Sequence, residues 1–433
     1  MSSKLSNAKN TQDLLPEDHQ YYTYIKKVVR HRSRQGGIRR ITTPIYENKE
    51  LIRTLLGDEQ FNLLQDSFIT AETGKEQYIL RPALLFGMLR SYVQYKMSEL
   101  PKPVELYSFE KAFFKRPGKL NQFDLYSVLI IGEEDPVIDA QLIKLARIII
   151  NDLKISNKVS LYFNVIGCNK CLPKYKQDLE QYYYGKEHTL CEKCNQNFAK
   201  AEYLALLDCQ EEDCQILSKL APKLPDYVCK DCKHHYERIL EFLEALKIKH
   251  ETSLTLLPKI NCYDKVYFEF RYEDKVLIRG GRFDHLIEKL GDDPTPAAGF
   301  GMDIPAIVEA MKQEGLKVPF KDNIHVFLAQ LGPDAKKKSL PLLYELREAG
   351  IKTVGAMGKG SMNQQIDLAH KLHVDYTLIL GQMEVREGTI ILRDMSKGKQ
   401  KTMPFAKALP ELKKLLGNKG LDKYKEGPDG MLS

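Results

Sequence analysis

Gly280-Gly281-Arg282-Phe283-Asp284 is the stretch that decides the fold. It follows two β-type runs at residues 266–271 and 275–278, and its glycine pair is a turn signal that leads into a predicted helix near residues 284–290. A second glycine-rich run, Ala298-Gly299-Phe300-Gly301, is predicted as a strand and precedes another helix. Short strands joined by turns and followed by helices predict a mixed α/β core around this stretch.

The chain before residue 166 has the same mixture of strands and helices. β-type runs at residues 78–80, 104–109 and 128–131 are rich in the branched and aromatic side chains that strands favour. Residues 138–154 carry apolar groups at helical spacing, and we expect this helix to pack on the sheet. The first part of the chain is therefore predicted to contribute to the same kind of core.

The pattern changes after a linker near residues 314–323. Four β-type runs, at residues 326–329, 352–354, 376–380 and 389–392, follow in order, with helical patterns between the earlier ones. This alternation is the βαβ rhythm of a small α/β domain with a largely parallel sheet. A separate C-terminal domain is therefore predicted.

Bulk composition limits the class of protein. A chain of 433 residues is too long for one hydrophobic core, which predicts two or three domains. The 65 Lys and Arg residues exceed the 58 Asp and Glu residues, and the net charge of +7 permits a polyanionic partner without requiring one. No apolar run of about 18 residues occurs, and the first residues lack the apolar stretch of a secretory signal. We therefore expect a cytoplasmic protein without a membrane partner.

Eight of the nine cysteines lie in four pairs within a tyrosine-rich, mostly helical segment that has the character of an insertion. The cytosol keeps thiols reduced, so disulfides are not expected. The ninth cysteine, Cys262, lies outside the pairs and is expected to be ordinary packing. In chain order the pairs are Cys168 and Cys171, Cys191 and Cys194, Cys209 and Cys214, and Cys229 and Cys232.

The spacing of these pairs predicts structural zinc. A CxxC sequence places two sulfurs on one tight turn, and two such turns can close a tetrahedron around Zn²⁺. The first two pairs are about 20 residues apart, which fits a zinc ribbon or knuckle, so we predict one site on the first four thiols and another on the later four. An iron–sulfur cluster and a set of buried reduced thiols remain alternatives. A four-thiolate site leaves no open position for substrate, so no catalytic role is expected.

Several segments, in their common order along the chain, resemble the histidyl-tRNA synthetase family of class II aminoacyl-tRNA synthetases. Gly280-Gly281-Arg282-Phe283-Asp284 is similar to the Gly-Gly-Arg-Tyr-Asp signature that lines the histidine pocket, and Gly299-Phe300-Gly301 is similar to the start of motif 3. Residues 41–47 resemble motif 1, the dimer-forming strand. Leu80-Arg81-Pro82 stands where the family has Leu-Arg-Pro-Glu, and Gln122-Phe123 is similar to part of motif 2. The resemblance implies a class II antiparallel sheet with helices, and a homodimer.

Beyond residue 323 the chain resembles the anticodon-binding domain of these enzymes, which implies tRNA as a partner. Leu346-Arg347-Glu348-Ala349-Gly350-Ile351 and Leu392-Arg393-Asp394 stand in the expected order. Gln364 and Gln365 lie on a predicted helix and are candidates for reading bases, although an exposed glutamine pair is usually only surface.

The domain prediction follows from these segments. We expect the first part of the class II core in residues 1–165 and an inserted Cys-rich, zinc-binding helical domain in residues 166–250. The second part of the core is expected in residues 251–318, and the anticodon-binding-like α/β domain in residues 323–417. Residues 418–433 are glycine-rich and charged, which predicts a flexible tail.

Compared with the family, this chain lacks fixed positive charges where ATP would react. Formation of an aminoacyl-adenylate is helped mainly by cations and donors positioned around the triphosphate. The arginine of motif 2 falls at Phe114, that of motif 3 at Ala306, and that of the Arg-Gly-Leu-Asp-Tyr-Tyr segment at Pro258. The nearby cations that are candidate catalytic replacements are Lys115, Arg116 and Lys259.

The predicted amino-acid pocket is altered as well. A bound α-ammonium group needs acceptors, because an unpaired buried charge is strongly unfavourable. The family's glutamate after Arg-Pro falls at Ala83 and its threonine at Leu85. Its glutamine after Gln-Phe-His falls at Leu125, and a later acidic position falls at Leu129. Polar pocket walls are therefore predicted to have become apolar.

The resemblance still assigns a set of residues to the ATP and amino-acid pocket. These are Arg81, Gln122, Tyr263, Gly280, Gly281, Arg282, Asp284, Gly299 and Gly301. Structural roles are the alternatives to these assignments. Arg81 could be a structural arginine, and Arg282 and Asp284 could cap a turn and pair with their neighbours.

Two functions follow from the resemblance. One is an enzyme that joins histidine to its tRNA through histidyl-adenylate, with ATP and Mg²⁺. The other is a catalytically impaired paralogue that binds tRNA or a protein partner. Because the loss of a single charge-stabilising group already lowers a rate by orders of magnitude, we favour the impaired paralogue.

Overall fold

The computed structural model describes residues 6–74, 76–116, 118–209, 211–253, 256–258, 260, 262–318, 324–355 and 360–417. The chain divides into two compact units, residues 1–319 and 320–433. Among the described residues, no helix is both long enough and apolar enough to cross a bilayer. The C-terminal stretch that was predicted as a flexible tail, residues 418–433, lies outside the described residues.

The first unit contains both strands and helices, as the sequence predicts. Its strands are β1 Arg39–Arg40, β2 Tyr46–Asn48, β3 Thr70–Thr73, β4 Glu76–Leu80, β5 Val104–Phe113, β6 Gln122–Ile131, β7 Val159–Gly167, β8 Glu251–Thr252, β9 Asp264–Tyr272, β10 Lys275–Arg282 and β11 Ala297–Asp303. Its α-helices are α1 Pro16–Gln35, α2 Lys49–Leu56, α3 Asp58–Leu64, α4 Leu84–Gln94, α5 Val137–Asp152, α6 Leu172–Tyr183, α7 Glu192–Ala199, α8 Glu212–Leu220, α9 Lys230–Ala245, α10 Leu286–Lys289 and α11 Ile304–Gln313.

An eight-stranded sheet organises this unit, in the order β1-β5-β6-β11-β10-β9-β7-β8. The pairings from β5 to β7 are antiparallel, whereas β1 runs parallel to β5 and β8 runs parallel to β7. A smaller three-stranded sheet has the order β2-β4-β3. The predicted antiparallel sheet with helices is confirmed.

The two faces of the large sheet bury separate hydrophobic clusters, because successive side chains of a strand point to opposite faces. On β6, Val128 and Ile130 belong to the cluster that contains residues of α1, α5, α9 and α11. Leu129 and Ile131 belong to the cluster that contains residues of α2, α4 and α10. The sheet therefore lies between two layers of helices.

The glycines of the deciding stretch allow β10 and β11 to lie closely against their surroundings. Gly281 pairs with Gly299 across these two strands. A Cβ atom on Gly281 would lie 2.4 Å from the carbonyl oxygen of Val266, and one on Gly299 would lie 2.3 Å from that of Val128. Both distances are far inside van der Waals contact, so larger residues do not fit without backbone movement.

The segment between β7 and β8 contains α6, α7, α8 and α9 and has a hydrophobic cluster of its own. Tyr175, Leu179 and Tyr183 of α6 pack there with Leu206 and Leu224. The tyrosine-rich character noted in the sequence therefore reflects packing. The predicted helical character of this insertion is confirmed.

The second unit is a smaller α/β structure. Its strands are β12 Val326–Gln330, β13 Thr353–Gly355, β14 Tyr376–Leu380, β15 Thr389–Asp394 and β16 Gln400–Pro404, and its α-helices are α12 Pro333–Glu348, α13 Met362–Lys371, α14 Gln382–Glu387 and α15 Ala408–Leu416. The sheet order is β13-β12-β14-β15-β16. β12 pairs in parallel with β13 and β14, but β14, β15 and β16 pair antiparallel. The expectation of a largely parallel sheet is wrong, because the short connections after β14 and β15 leave no room for a parallel crossover.

The close approach at Gly299 gives a test of the fold. Gly299→Ala should lower the free energy of unfolding by about 1–3 kcal/mol, because the new methyl group collides with the backbone of β6. Gly301→Ala is the matched control, since its Cβ atom would meet Ser127 at 3.6 Å, an ordinary contact. Urea unfolding of both variants measures the difference, and equal losses of stability would contradict the packing described here.

Candidate functional site

Arg282 lies at the end of β10 and is fully buried, with 0% of its surface exposed. Its Nη1 atom donates to Asp139 Oδ2 at 2.9 Å, and its Nε atom donates to Asp284 Oδ1 at 3.0 Å. Nη2 donates to the carbonyl oxygen of Glu133 at 2.8 Å. Burial alone favours the neutral guanidine, but the two carboxylates outweigh it and raise the pKa of Arg282. The arginine is therefore charged, and its hydrogen-bonding groups are occupied by partners within the protein.

Asp284 joins three segments at the end of the glycine-rich stretch. Besides Arg282, it accepts from the Lys265 ammonium group at 2.9 Å and from the backbone N–H of Ala297 at 3.3 Å. Burial favours the neutral acid, but Arg282 and Lys265 outweigh it and lower the pKa of the Asp284 carboxyl below its ordinary value. Both oxygens of this carboxylate are thus engaged within the protein.

Arg81 is the second buried arginine among the predicted pocket residues, with 2% of its surface exposed. It donates to the carbonyl oxygens of Thr43 at 2.6 Å, Lys111 at 2.7 Å and Pro44 at 3.2 Å. Burial lowers the pKa of Arg81, which Glu110 partly offsets. These contacts attach the segment that resembles motif 1 to β5, as the structural alternative for Arg81 proposed.

The remaining predicted pocket residues differ in exposure, and all except Tyr263, which precedes β9, lie on the large sheet. Gln122 begins β6 and is exposed. Tyr263 is half-buried, and its ring packs against Tyr267 and Phe283 at centroid distances of 4.8 Å and 4.9 Å. Burial raises the pKa of the Tyr263 hydroxyl. Gly280, Gly281 and Gly299 are buried in the sheet, whereas Gly301 is partly exposed.

The three candidate replacement cations differ in what the structure shows. Arg116 donates to Asp303 Oδ2 at 2.5 Å, and its guanidinium carbon lies 3.6 Å from the centroid of the Phe123 ring. Asp303 in turn caps α11 by accepting from the backbone N–H of Ala306 at 3.2 Å. The side chain of Lys115 is exposed. Lys259 lies outside the described residues.

The positions that the resemblance assigns to polar or charged pocket groups are occupied by packed apolar side chains. Ala83, Leu85, Leu125 and Phe114 all pack against the hydrophobic cluster that contains Leu129. The Phe114 ring meets the Phe68 ring edge-on at a centroid distance of 5.8 Å. Ala306 is buried in the cluster on the opposite face of the sheet. The predicted loss of polar pocket walls therefore coincides with apolar packing.

No sequence motif marks His235 as part of this site, yet its side chain contacts the signature network. His235 lies on α9, and its Nε2 atom is 3.0 Å from Asp139 Oδ2, the oxygen that also accepts from Arg282. The residues are 96 positions apart in the chain, so only tertiary folding brings them together. Both side chains are buried.

The eight paired cysteines form two clusters, in a grouping that differs from the predicted one. The inner cluster consists of Cys168, Cys171, Cys229 and Cys232, and the outer cluster consists of Cys191, Cys194, Cys209 and Cys214. Within each cluster the four sulfurs lie within 4.8 Å of one another. The expectation that the first two CxxC pairs share one site is wrong, because the helices between them carry the chain away and return it, so that the first pair meets the last.

Backbone N–H groups donate to several of these sulfurs and favour the thiolate form of Cys191 and Cys229. The N–H of Cys229 donates to Cys171 Sγ at 3.1 Å, and that of Cys191 donates to Cys214 Sγ at 3.2 Å. The N–H of Cys232 lowers the pKa of the Cys229 thiol to about 7, and the N–H of Cys194 lowers that of Cys191. Burial raises the pKa of the Cys232 thiol, so a metal ion would have to displace its proton.

The two glutamines predicted to read bases have different environments. Gln365 is buried, and its amide accepts from the backbone N–H of Gln330 at 3.0 Å and donates to the Gln330 carbonyl at 2.8 Å. This corrects the expectation of an exposed pair, because the end of β12 uses the Gln365 amide as a backbone partner. Gln364 is exposed and takes part in the capping box that begins α13 with Ser361.

Comparisons with known proteins agree with this architecture. A sequence model of histidyl-tRNA synthetase matches residues 10–307, and one of the anticodon binding domain matches residues 325–415. The histidine–tRNA ligase of Dehalococcoides mccartyi is 33% identical over 413 residues, which cover 94% of this chain and 98% of that protein.

Solved structures show the same fold. The apo histidyl-tRNA synthetase of S. aureus has a TM-score of 0.76 at 24% identity and covers 94% of this chain and 100% of that one. The histidyl-tRNA synthetase from Nostoc sp. PCC 7120 has a TM-score of 0.64 at 15% identity and covers 95% and 99%.

The buried network around Arg282 gives a test of the site. Asp139→Asn should lower the free energy of unfolding by at least about 2 kcal/mol, because it removes a buried negative charge from a buried guanidinium. The matched control is Asp124→Asn, whose partner Lys111 is largely exposed, and its cost should stay below about 1 kcal/mol. Chemical denaturation measures both, and a stability of Asp139→Asn equal to that of the control would refute the assigned role.

Proposed function

The chain belongs to the histidyl-tRNA synthetase family, and from that premise we propose a tRNA-binding member whose class II core is impaired in activating histidine. Activation would require cations around the triphosphate of ATP and acceptors around the α-ammonium group of histidine. The observation that carries the proposal is the apolar packing at the positions where the family resemblance puts those groups.

The amino-acid side of the pocket supports this proposal. Ala83, Leu85 and Leu125 stand where the resemblance expects glutamate, threonine and glutamine, and all three pack against one hydrophobic cluster. None of these side chains can accept a hydrogen bond from an ammonium group. A histidine α-ammonium placed among them would be desolvated without compensation.

The ATP side supports it in the same way. Phe114 and Ala306 provide no charge at the positions of two of the three family arginines. Arg116 is close by in sequence, but its charge is already compensated by Asp303 at 2.5 Å. Binding of a triphosphate by Arg116 would have to break this pair, so the arginine is a poor substitute for a preorganised cation.

A second candidate function is the active histidine–tRNA ligase that the names of the relatives describe. ATP and Mg²⁺ would then be bound during catalysis. The exposed side chain of Lys115 is the observation that favours this candidate, because its ammonium group is able to approach a phosphate. It would be one cation in place of several.

The second unit supports tRNA as the partner, because residues 325–415 form an anticodon-binding domain. Gln364, exposed at the start of α13, remains a candidate contact to bases. Homodimer formation is also proposed, through the segment that resembles motif 1. Ile45 and Tyr46 in that segment expose 51% and 56% of their surface, which is the apolar area that pairing of two copies would cover.

We also propose that each cysteine cluster holds a structural zinc ion. Four sulfurs within 4.8 Å of one another, with N–H donors directed at several of them, fit a closed tetrahedral site better than isolated buried thiols. Such thiols persist in a reducing compartment, which accords with a cytoplasmic location. Metal analysis also separates zinc from the iron–sulfur alternative.

Histidine-dependent ATP–pyrophosphate exchange tests the catalytic half of the proposal. We expect exchange at least about 10³-fold below that of a competent family member assayed in parallel, because single losses of charge-stabilising donors already lower rates by about 10²–10³. The assay should include the other amino acids, to test whether the altered pocket accepts one of them. Exchange with histidine near the level of the competent enzyme would establish the ligase instead.

Filter binding across a salt series tests the RNA half with the same preparation. Binding to tRNA should weaken as salt rises, because phosphate contacts release counterions. Lack of exchange together with lack of tRNA binding would leave neither candidate function standing.

Metal content tests the zinc proposal separately. The purified chain should contain two zinc ions, and Cys262→Ser should retain both, because Cys262 is a buried residue outside the clusters. Less than about one zinc ion per chain, or stoichiometric iron with labile sulfide, would reject the assignment.

A further inference from the structure

Helix α9 connects the inner cluster to the arginine of the glycine-rich stretch. Its buried residues follow one face of the helix and are Cys232, His235, Ile239 and Leu243. Cys232 belongs to the inner cluster, and His235 lies on the next turn of the same face. Ile239 and Leu243 then enter the hydrophobic core beside the large sheet.

One carboxylate oxygen, Asp139 Oδ2, contacts both His235 and Arg282. Asp139 Oδ2 lies 3.0 Å from His235 Nε2 and 2.9 Å from Arg282 Nη1. Asp139 is 1% exposed, and within the described part of the chain its Oδ1 atom has no hydrogen-bond partner. Because the carboxylate depends on two contacts at one oxygen, a displacement of His235 changes the environment of Arg282 directly.

The first turn of α9 depends on the inner cluster for its attachment. Cys229 is the residue that precedes this helix, and its N–H donates to Cys171 Sγ at 3.1 Å. Cys171 follows the end of β7, where a Cβ atom on Gly167 would lie 2.9 Å from the Cys171 Cβ atom. The hydrophobic cluster below this turn is small and consists mainly of the cysteines themselves with Val165 and Val228.

A metal ion would supply the cohesion that so small a cluster lacks. Four thiolates repel one another without a cation, whereas a bound divalent ion fixes all four in a tetrahedron. The ion would thereby join the end of β7 to the start of α9. The helix would then hold His235 against Asp139.

We propose that a metal ion in the inner cluster positions His235 and, through Asp139, the signature residue Arg282. This inference rests on the proposed zinc sites and assigns the two ions different tasks. The outer cluster packs with Leu190, Leu206 and Leu207 in the hydrophobic cluster of the insertion, and its described contacts do not reach Asp139. Its ion stabilises the insertion alone.

Two double variants of the full chain form a matched pair for the test. Cys168→Ser with Cys171→Ser removes the first CxxC of the inner cluster, and Cys191→Ser with Cys194→Ser removes that of the outer cluster. Each pair contains one partly exposed and one buried cysteine. Both variants should retain one of the two zinc ions of the unaltered chain.

Amide hydrogen exchange, followed by mass spectrometry, measures how firmly the segments around Asp139 and Arg282 are held in place. In the inner-cluster variant, exchange in residues 137–143 and 280–286 should be at least about tenfold faster than in the unaltered chain. In the outer-cluster variant it should stay within about twofold. Strand β5 of the first unit is the internal reference, because equal exchange there in all proteins shows that the core of this unit is folded in the variants.

His235→Ala tests the path itself. It should retain two zinc ions and still accelerate exchange in residues 137–143 and 280–286. Slow exchange in this variant, or in the inner-cluster variant, overturns the inference while the zinc sites stand. Equal acceleration by the inner and outer variants also overturns it, since the effect would then be general loosening. Absence of zinc from the unaltered chain removes the zinc proposal and this inference together.

Discussion

The buried charge of Arg282 is the constraint around which the class II core is arranged. A guanidinium with 0% exposure is tolerated only when the protein compensates it, and Asp139, Asp284 and the carbonyl of Glu133 do so. These partners come from α5, from the residues after β10 and from the loop before α5. The family signature around Arg282 therefore fixes the relative positions of three segments, and the fold requires it whether or not the pocket binds a ligand.

In our proposal, the same core has apolar packing in place of part of a binding pocket. Leu85 and Leu125, at positions that the resemblance assigns to polar ligand contacts, are partly buried against the neighbouring hydrophobic cluster, so each contributes only part of the roughly 1.5–3 kcal/mol of a fully buried leucine. A leucine side chain at either position offers no acceptor for the ammonium group of a substrate. Arg116 is likewise used within the fold, because its charge is paired with Asp303, the residue that caps the start of α11. In our proposal, this chain keeps the class II fold but is impaired in activating histidine.

Short sequence patterns correctly predicted the features that depend only on neighbouring residues. Glycine pairs in β10 and β11, alternating strand residues and CxxC turns were visible in the sequence, and the strands and thiol pairs occur where they were expected. The partners of the thiol pairs were mispredicted, because the path of α6, α7 and α8 decides which pairs meet. The contact between His235 and Asp139 spans 96 residues and has no local signature. Gln365 was expected at the surface, but its buried amide forms hydrogen bonds with the backbone of Gln330 at the end of β12.

The central claim is that this core keeps the class II architecture without a site able to hold the activated amino acid. Calorimetric titration with a non-hydrolysable analogue of histidyl-adenylate tests it most directly, because that ligand needs the amino-acid and nucleotide contacts together. The account predicts a dissociation constant above about 1 mM. A dissociation constant at or below about 1 μM would contradict it, because the pocket would then supply the cations and acceptors that the apolar packing is inferred to exclude.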